Sequence, residues 1–292
     1  MAENLEAHGG QAFLVVSRRG CSPSTIPLRL PGYAQRDLVE STLRVRVPVC
    51  HASVVDMIAI PAGSFIYGGL GEPPSREQAE FPDGKSERKI ELPMFGIDRT
   101  EVTNAAFSIF GEMSRITGVE TPRIPQTTGL EKATAPRKPI TGIVWSAARA
   151  YCRFLGKELP TSEQWVKAMR GGERLGDQPN PMPRRNYPWG GRANAMIAAI
   201  DMDGKETPDV AGHPGDTSPY GVIDLAGSLT EWTASPVADE PGTRIVRGGN
   251  YGETKPETLA DYMAIENRRA AKHVFLIGVR CVTTPAVSST RP

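Results

Sequence analysis

An α+β fold rich in loops is what this sequence predicts, and three observations carry the prediction. Apolar and polar residues alternate along several short stretches, two segments carry complete helix start and stop signals, and 30 glycines and 26 prolines are spread through all 292 residues. Alternation at a period of two marks half-buried strands, helical spacing of apolar residues marks one face of a helix, and scattered Gly and Pro divide short elements with turns. The length allows one large core with an appendage.

The elements follow in order. FLVV at 13–16, IPLRL at 26–30 and LRVRV at 43–47 alternate between turn residues, which predicts a small β-rich module over 1–54. A larger domain is expected over 55–285, with a tail at 286–292. It opens on MIAIPAGSFIYGG, a β-rich run broken by Pro61 and Gly63, and continues through the extended KIELPMFGID. Two helices follow. VWSAARAYCRFLGKELP offers Ser146 as N-cap, Ala147, Tyr151 and Leu155 on one face, and Gly156 as the stop. TSEQWVKAMRGG offers a capping box of Thr161 with Gln164 and ends at Gly171. Beyond this, TRIVRGG and IGVRCV read as short strands among turns.

The totals narrow the classes of function. A net charge of +1 without long blocks of one sign gives no footprint for nucleic acid or an anionic membrane. Cys21, Cys50, Cys152 and Cys281 form no CxxC pair, and reduced, buried thiols are expected. The first residues lack the charged start, apolar run and cleavage site of a signal peptide, and no stretch of about eighteen apolar residues occurs. A soluble, cytoplasmic chain is expected.

MIAIPAGSFIYGG, FGIDRTEVTNAAF, VWSAARAYCRFLGKELPTSEQWVKAMRGG, YPWGGRAN, SPYGVIDLAGSLTEWT, RIVRGGNY and IGVRCV, in this order, resemble the formylglycine-generating enzyme family, also called sulfatase-modifying-factor domains. The resemblance covers roughly 57–282. It implies a loop-rich, C-type-lectin-like fold with bound structural calcium. The matching loop places Asp224 and Glu231 as side-chain ligands and Gly227 and Leu229 as carbonyl ligands, an all-oxygen set that suits this hard cation. Ser228 stands where most relatives have Asn. A second calcium in some relatives matches Asn194 and Asp203, or Asp201; in the residues alone these are equally well turn formers. Trp145, Trp165, Trp189 and Trp232 fall inside family motifs and read as core or loop anchors.

Catalytic members of the family oxidise a cysteine with copper held by two thiolates just after the R-G-G-S-Y motif. Glu253 and Thr258 occupy those places here, and neither holds Cu(I), so no copper and no formylglycine synthesis are expected. Other relatives bind iron through closely spaced histidines, whereas His8, His51, His213 and His273 are scattered, so no iron is expected either. Glu253, Glu257, Asp261 and Glu266 would serve as acid and base, or form a solvated acidic loop. Asn250, Tyr251, Glu253, Tyr262, Asn267 and Arg268, with Arg269 beside them, would line a ligand cleft; Tyr251 and the arginines read equally as packed or ion-paired surface residues.

The expected function is thus a non-catalytic recognition or sensor domain. A small β module ahead of such a domain resembles the C-terminal parts of some bacterial Ser/Thr kinases, which implies a covalently linked kinase domain in a larger signalling protein. Its ligand, protein or small molecule, is not named by the residues. The alternatives are an enzyme of the same fold with non-copper chemistry, and a variable C-type-lectin-like binding protein diversified after Arg247.

Overall fold

The computed structural model describes residues 5–8, 11–16, 24–28, 56–68, 87–117, 135–190, 194, 196–199, 207–237, 242–252 and 276–283. Strands β1 (Leu5–His8), β2 (Gln11–Val16) and β3 (Ser24–Leu28) make one antiparallel sheet in that order, with Leu14 opposite both Leu5 and Ile26. The expected strand at 43–47 and the tail at 286–292 lie outside the described residues.

The rest is a mixed α/β arrangement of small sheets and few helices, as the glycine and proline content predicts. Strands β4 (Met57–Ile60) and β7 (Phe95–Asp98) pair antiparallel, and β13 (Val282–Thr283) adds to the other edge of β7. Strands β5 (Gly63–Tyr67) and β6 (Arg88–Leu92) form a hairpin-like pair. Strand β10 (Thr230–Pro236) lies between β11 (Arg244–Arg247) and β12 (Ile277–Gly278), antiparallel to the first and parallel to the second. A short pair, β8 (Arg174–Leu175) and β9 (Gln178–Pro179), completes the sheets.

Three helices sit among these strands in the described residues, one more than the cap signals predict. Helix α1 (Asn104–Thr117) begins where Thr103 Oγ1 accepts from Ala106 N–H at 3.3 Å. It buries Phe107 and Phe110, which meet Tyr151 at ring-centroid distances of 5.3 and 5.7 Å. Helix α2 is Trp145–Phe154, and its N-cap residue is Val144 with no side-chain cap. Ser146 therefore lies inside the first turn and is not the cap. The Trp145 indole donates to Thr233 O at 2.9 Å, so a tertiary anchor sets where this helix starts. Gly156, at φ +70°, ends it as expected, because an L side chain is strained there. Helix α3 (Ser162–Arg170) carries the expected capping box, with Gln164 N donating to Thr161 Oγ1 at 3.2 Å and Thr161 N to Gln164 Oε1 at 2.9 Å.

Two buried clusters hold these parts together. One joins Phe107, Phe110, Tyr151, Trp232 and Ile277 between α1, α2 and β10–β12; the other joins Phe65, Ile97, Trp165, Met169 and Leu225 between α3 and the sheets of β4–β7. Cys152 and Cys281 are not the reduced thiols expected from their isolation in sequence. They form a disulfide that ties α2 to the turn between β12 and β13, with Cα atoms 5.6 Å apart and a sequence separation of 129. Sequence spacing showed no pair because the partners meet only after both clusters assemble. Among the described residues no helix is long and apolar enough to cross a membrane.

Candidate functional site

The segment leading into β10 folds back on itself around carboxylates. Asp216 Oδ2 accepts from Ala226 N–H at 3.0 Å and Gly227 N–H at 2.9 Å, while Asp224 N–H donates to Asp216 O at 3.0 Å. These bonds close the loop on which Asp224 and Glu231 sit. Asp224 and Ser228 both adopt left-handed backbone, at φ +59° and +65°. Asn tolerates that conformation better than Ser, which accounts for the Asn of most relatives at the second position. Asp224 Oδ2 accepts from Ala211 N–H.

Glu231 is fully buried and meets Arg280, which is fully buried too. Arg280 Nη2 donates to Glu231 Oε1 at 2.8 Å, and Trp165 Nε1 donates to Oε2 at 2.8 Å. The guanidinium also donates to the carbonyls of Asp98, Arg99 and Ile223, each at 2.8 Å. Burial opposes its charge, but Glu231, Glu101 and Asp224 together raise its pKa. A loop that sequence alone presents as two repelling carboxylates thus contains its own positive charge.

More acidic groups surround that guanidinium than it pairs with. Glu101 is 2% exposed, and its carboxylate meets the side chain of Ser228. Burial first, then Asp224 and Glu231, push its pKa well up. Asp216 rises to about 7, again mainly through burial, and its Oδ1 is without a partner. Burial raises Asp224 as well. Ser228 Oγ, buried against Glu101, counters part of the rise in Glu101. Burial thus favours the protonated, neutral form of Glu101, Asp216 and Asp224. Among the described residues no three His, Cys, Asp or Glu side chains are arranged as a metal cluster. Of the expected ligands, Asp224 Oδ2 accepts from Ala211 N–H, and both oxygens of Glu231 are taken up by Arg280 and Trp165. Sequence reasoning missed Glu101, Asp216 and Arg280. The signal for Arg280 was a charged residue inside the otherwise apolar IGVRCV.

The expected cleft segment lies directly on this loop. Gly249 N–H donates to Ala226 O at 2.9 Å and Tyr251 N–H to Ser228 O at 2.8 Å. Gly248 sits at φ +82°, and a Cβ there would meet Leu225 O at 2.8 Å, so only glycine permits the approach. Arg247 is buried, donating to Ser162 Oγ at 2.8 Å and to Tyr67 OH at 2.6 Å. Asn250 is also buried. Its Oδ1 accepts from Gly252 N–H at 3.1 Å, which closes the turn, and Tyr251 is half-buried. Glu253, Thr258, Tyr262, Asn267 and Arg268 lie outside the described residues, as do Asp201 and Asp203. Asn194 is exposed and its Oδ1 accepts from Met196 N–H at 2.9 Å, the bond of a turn former. Trp165 and Trp232 are core residues; Trp145 and Trp189 are half-buried, the latter stacked on Tyr187.

Comparison with known proteins identifies the family and the fold. The FGE-sulfatase profile, described as a sulfatase-modifying factor enzyme 1-like domain, matches residues 44–285. The chain belongs to this family. Within the FGE-sulfatase family it is 37% identical over 122 residues to inactive C-alpha-formylglycine-generating enzyme 2 of Bos taurus, covering 40% of this chain and 39% of that protein. It is 27% identical over 213 residues to hercynine oxygenase of Mycolicibacterium smegmatis, covering 63% and 46%. It is 25% identical over 262 residues to serine/threonine-protein kinase pkn1 of Chlamydia pneumoniae, covering 78% and 38%. The chain thus spans less than half the length of these relatives. Among solved structures, PvdO from Pseudomonas aeruginosa shares the fold, with a TM-score of 0.57, 21% identity, and 78% of this chain and 93% of that one covered.

Proposed function

We propose that this FGE-like domain is a non-catalytic recognition or sensor module with a structural calcium ion, working within a larger signalling polypeptide. One observation carries the non-catalytic reading. The cysteines in the described residues, Cys152 and Cys281, are consumed in a disulfide, and the sequence puts Glu253 and Thr258 where copper needs thiolates. Similarity to an inactive formylglycine-generating enzyme supports the same reading, and similarity to a kinase supports the signalling context. The ligand surface of this reading is the segment after Arg247, of which Gly249 and Tyr251 are hydrogen-bonded to the loop between Asp224 and Glu231. When bound, calcium supplies fixed positive charge to that loop. Asp224 and Glu231 would hold it with the carbonyls of Gly227 and Leu229. The disulfide favours an oxidising setting over the cytoplasm expected from the sequence.

The decisive experiment incubates the full chain with Cu(I), oxygen and a cysteine-containing sulfatase peptide, and reads the product by mass spectrometry. Unmodified peptide is expected. A copper-dependent aldehyde product would refute the non-catalytic reading.

A further inference from the structure

Trp145, in the first turn of α2, is a fixed and half-buried aromatic platform, because its indole N–H is committed to Thr233 O at 2.9 Å. Two guanidinium groups stand over its ring. That of Arg149, one turn further along α2, is 5.3 Å from the ring centroid, and that of Arg244 on β11 is 4.4 Å away. Side chains alternate along a strand, so Arg244 shares the α2 side of β11 with Val246, while Arg247 turns to Ser162 of α3.

Positive charge is left over here. Among the described residues Glu158 is the carboxylate beside this cluster, and its hydrogen bond comes from Arg153 Nε at 2.8 Å, whereas Arg149 Nε stays 3.7 Å from its other oxygen. Arg244 Nη1 donates to Thr243 O at 3.2 Å, and its Nε is buried without a hydrogen-bond partner among the described residues. A guanidinium stacked on a ring keeps its in-plane N–H groups available to an oxyanion. Two guanidiniums beyond the Arg153–Glu158 pair match a phosphate monoester, with a charge of about −1.5 to −2 at neutral pH, better than a singly charged carboxylate. The start of α2, which no side chain caps, adds the positive end of its dipole. We propose that Trp145, Arg149 and Arg244 form a binding site for a phosphate monoester, carried by a polypeptide or by a small molecule. This goes beyond the proposed function and depends on neither calcium nor the missing copper thiolates.

The test titrates the full chain by calorimetry with inorganic phosphate, with a phosphoserine peptide flanked by glycines, and with the same peptide unphosphorylated. Saturable binding of at least one phosphorylated probe is expected, weakened about tenfold or more in Arg244→Gln and in Arg149→Gln. A phosphopeptide that binds about tenfold tighter than inorganic phosphate assigns the ligand to a polypeptide, and equal affinities assign it to a small molecule. The Arg149 side chain is 39% exposed, so Arg149→Gln keeps the fold and carries the test if Arg244→Gln does not fold. Arg137→Gln, which removes an exposed arginine outside the cluster, should bind like the native chain. No saturable binding of either phosphorylated probe up to about 10 mM overturns the inference. So does equal binding of the unphosphorylated peptide, an equal loss in Arg137→Gln, or an affinity within about twofold of native in Arg149→Gln.

Discussion

Asp216 organises the acidic loop by accepting two backbone N–H bonds with one oxygen, yet its other oxygen is buried without a partner. Burial raises its pKa from 3.8 to about 7, which makes the folded state bind a proton that the unfolded state has released. The contribution of Asp216 is then fully present below about pH 4 and is lost as pH rises towards about 7, by something like 4 kcal/mol at about 1.4 kcal/mol per pKa unit. Glu101 is shifted in the same direction and adds to the slope. Asp216→Asn keeps an oxygen for both N–H groups and removes the ionisable one. In the presence of a chelator, this variant should melt higher than native at pH 8 and show a flatter melting-temperature profile between pH 4 and 7. An unchanged slope would show that Asp216 does not titrate in this range. The conformation of the loop was partly legible, since its glycine and its two acids stand in the sequence, but burial is a property of the folded neighbourhood and left no local trace.

Among the elements, the short pieces β12 and β13 depend most on what lies across from them. Between them Cys281 is bonded to Cys152 of α2, its N–H donates to Asp98 Oδ2, and Asp98 Oδ1 accepts from Lys157 Nζ at 2.7 Å. The disulfide closes a loop with a sequence separation of 129, for which the chain-entropy model gives about 5 kcal/mol as an upper estimate. Cys152→Ser with Cys281→Ser should lower the melting temperature by several degrees, at roughly 2–4 °C per kcal/mol for a domain of this size. Two free thiols by titration of the unreduced, unfolded native chain at Cys152 and Cys281, or an unaltered melt in the double variant, would refute this role. Helix α3 and its capping box were readable because every partner lies within one turn. Helix α1 had a start signal at Thr103 and an aromatic pair at Phe107 and Phe110, and a closer reading of spacing would have found it. The start of α2 was displaced from Ser146 because the Trp145 indole reaches Thr233, far along the chain.

For the whole molecule, the acidic loop is where the cores, the disulfide strand and the expected cleft meet. Trp165 comes from one buried cluster, Arg280 follows strand β12, and Gly249 and Tyr251 are bonded to the loop's carbonyls. A cation bound there should stabilise the fold as a whole, since the unfolded chain presents no such site. Saturation at about 100 times the dissociation constant adds roughly 2.7 kcal/mol, a rise of several degrees. Chelation should lower the native melting temperature, and Asp224→Asn should respond much less to added Ca²⁺. Glu231→Ala would remove a ligand and also strand the Arg280 guanidinium, so its loss of stability should be far larger, on the order of 3–5 kcal/mol. A native melting curve indifferent to both chelator and Ca²⁺ would refute the structural role of calcium.

The sequence by itself determined the α+β loop-rich class, the capping box, the glycine stops and the family, because each of these rests on steric and hydrogen-bonding preferences that act within a few residues or on motifs kept in order. Only the tertiary structure decided that Cys152 pairs with Cys281, that Glu231 meets Arg280 from 49 residues away, and that Glu101 is buried near Asp224 and Glu231. Those outcomes depend on which distant segments share one low-dielectric interior, where a charge or a thiol is governed by its neighbours in space.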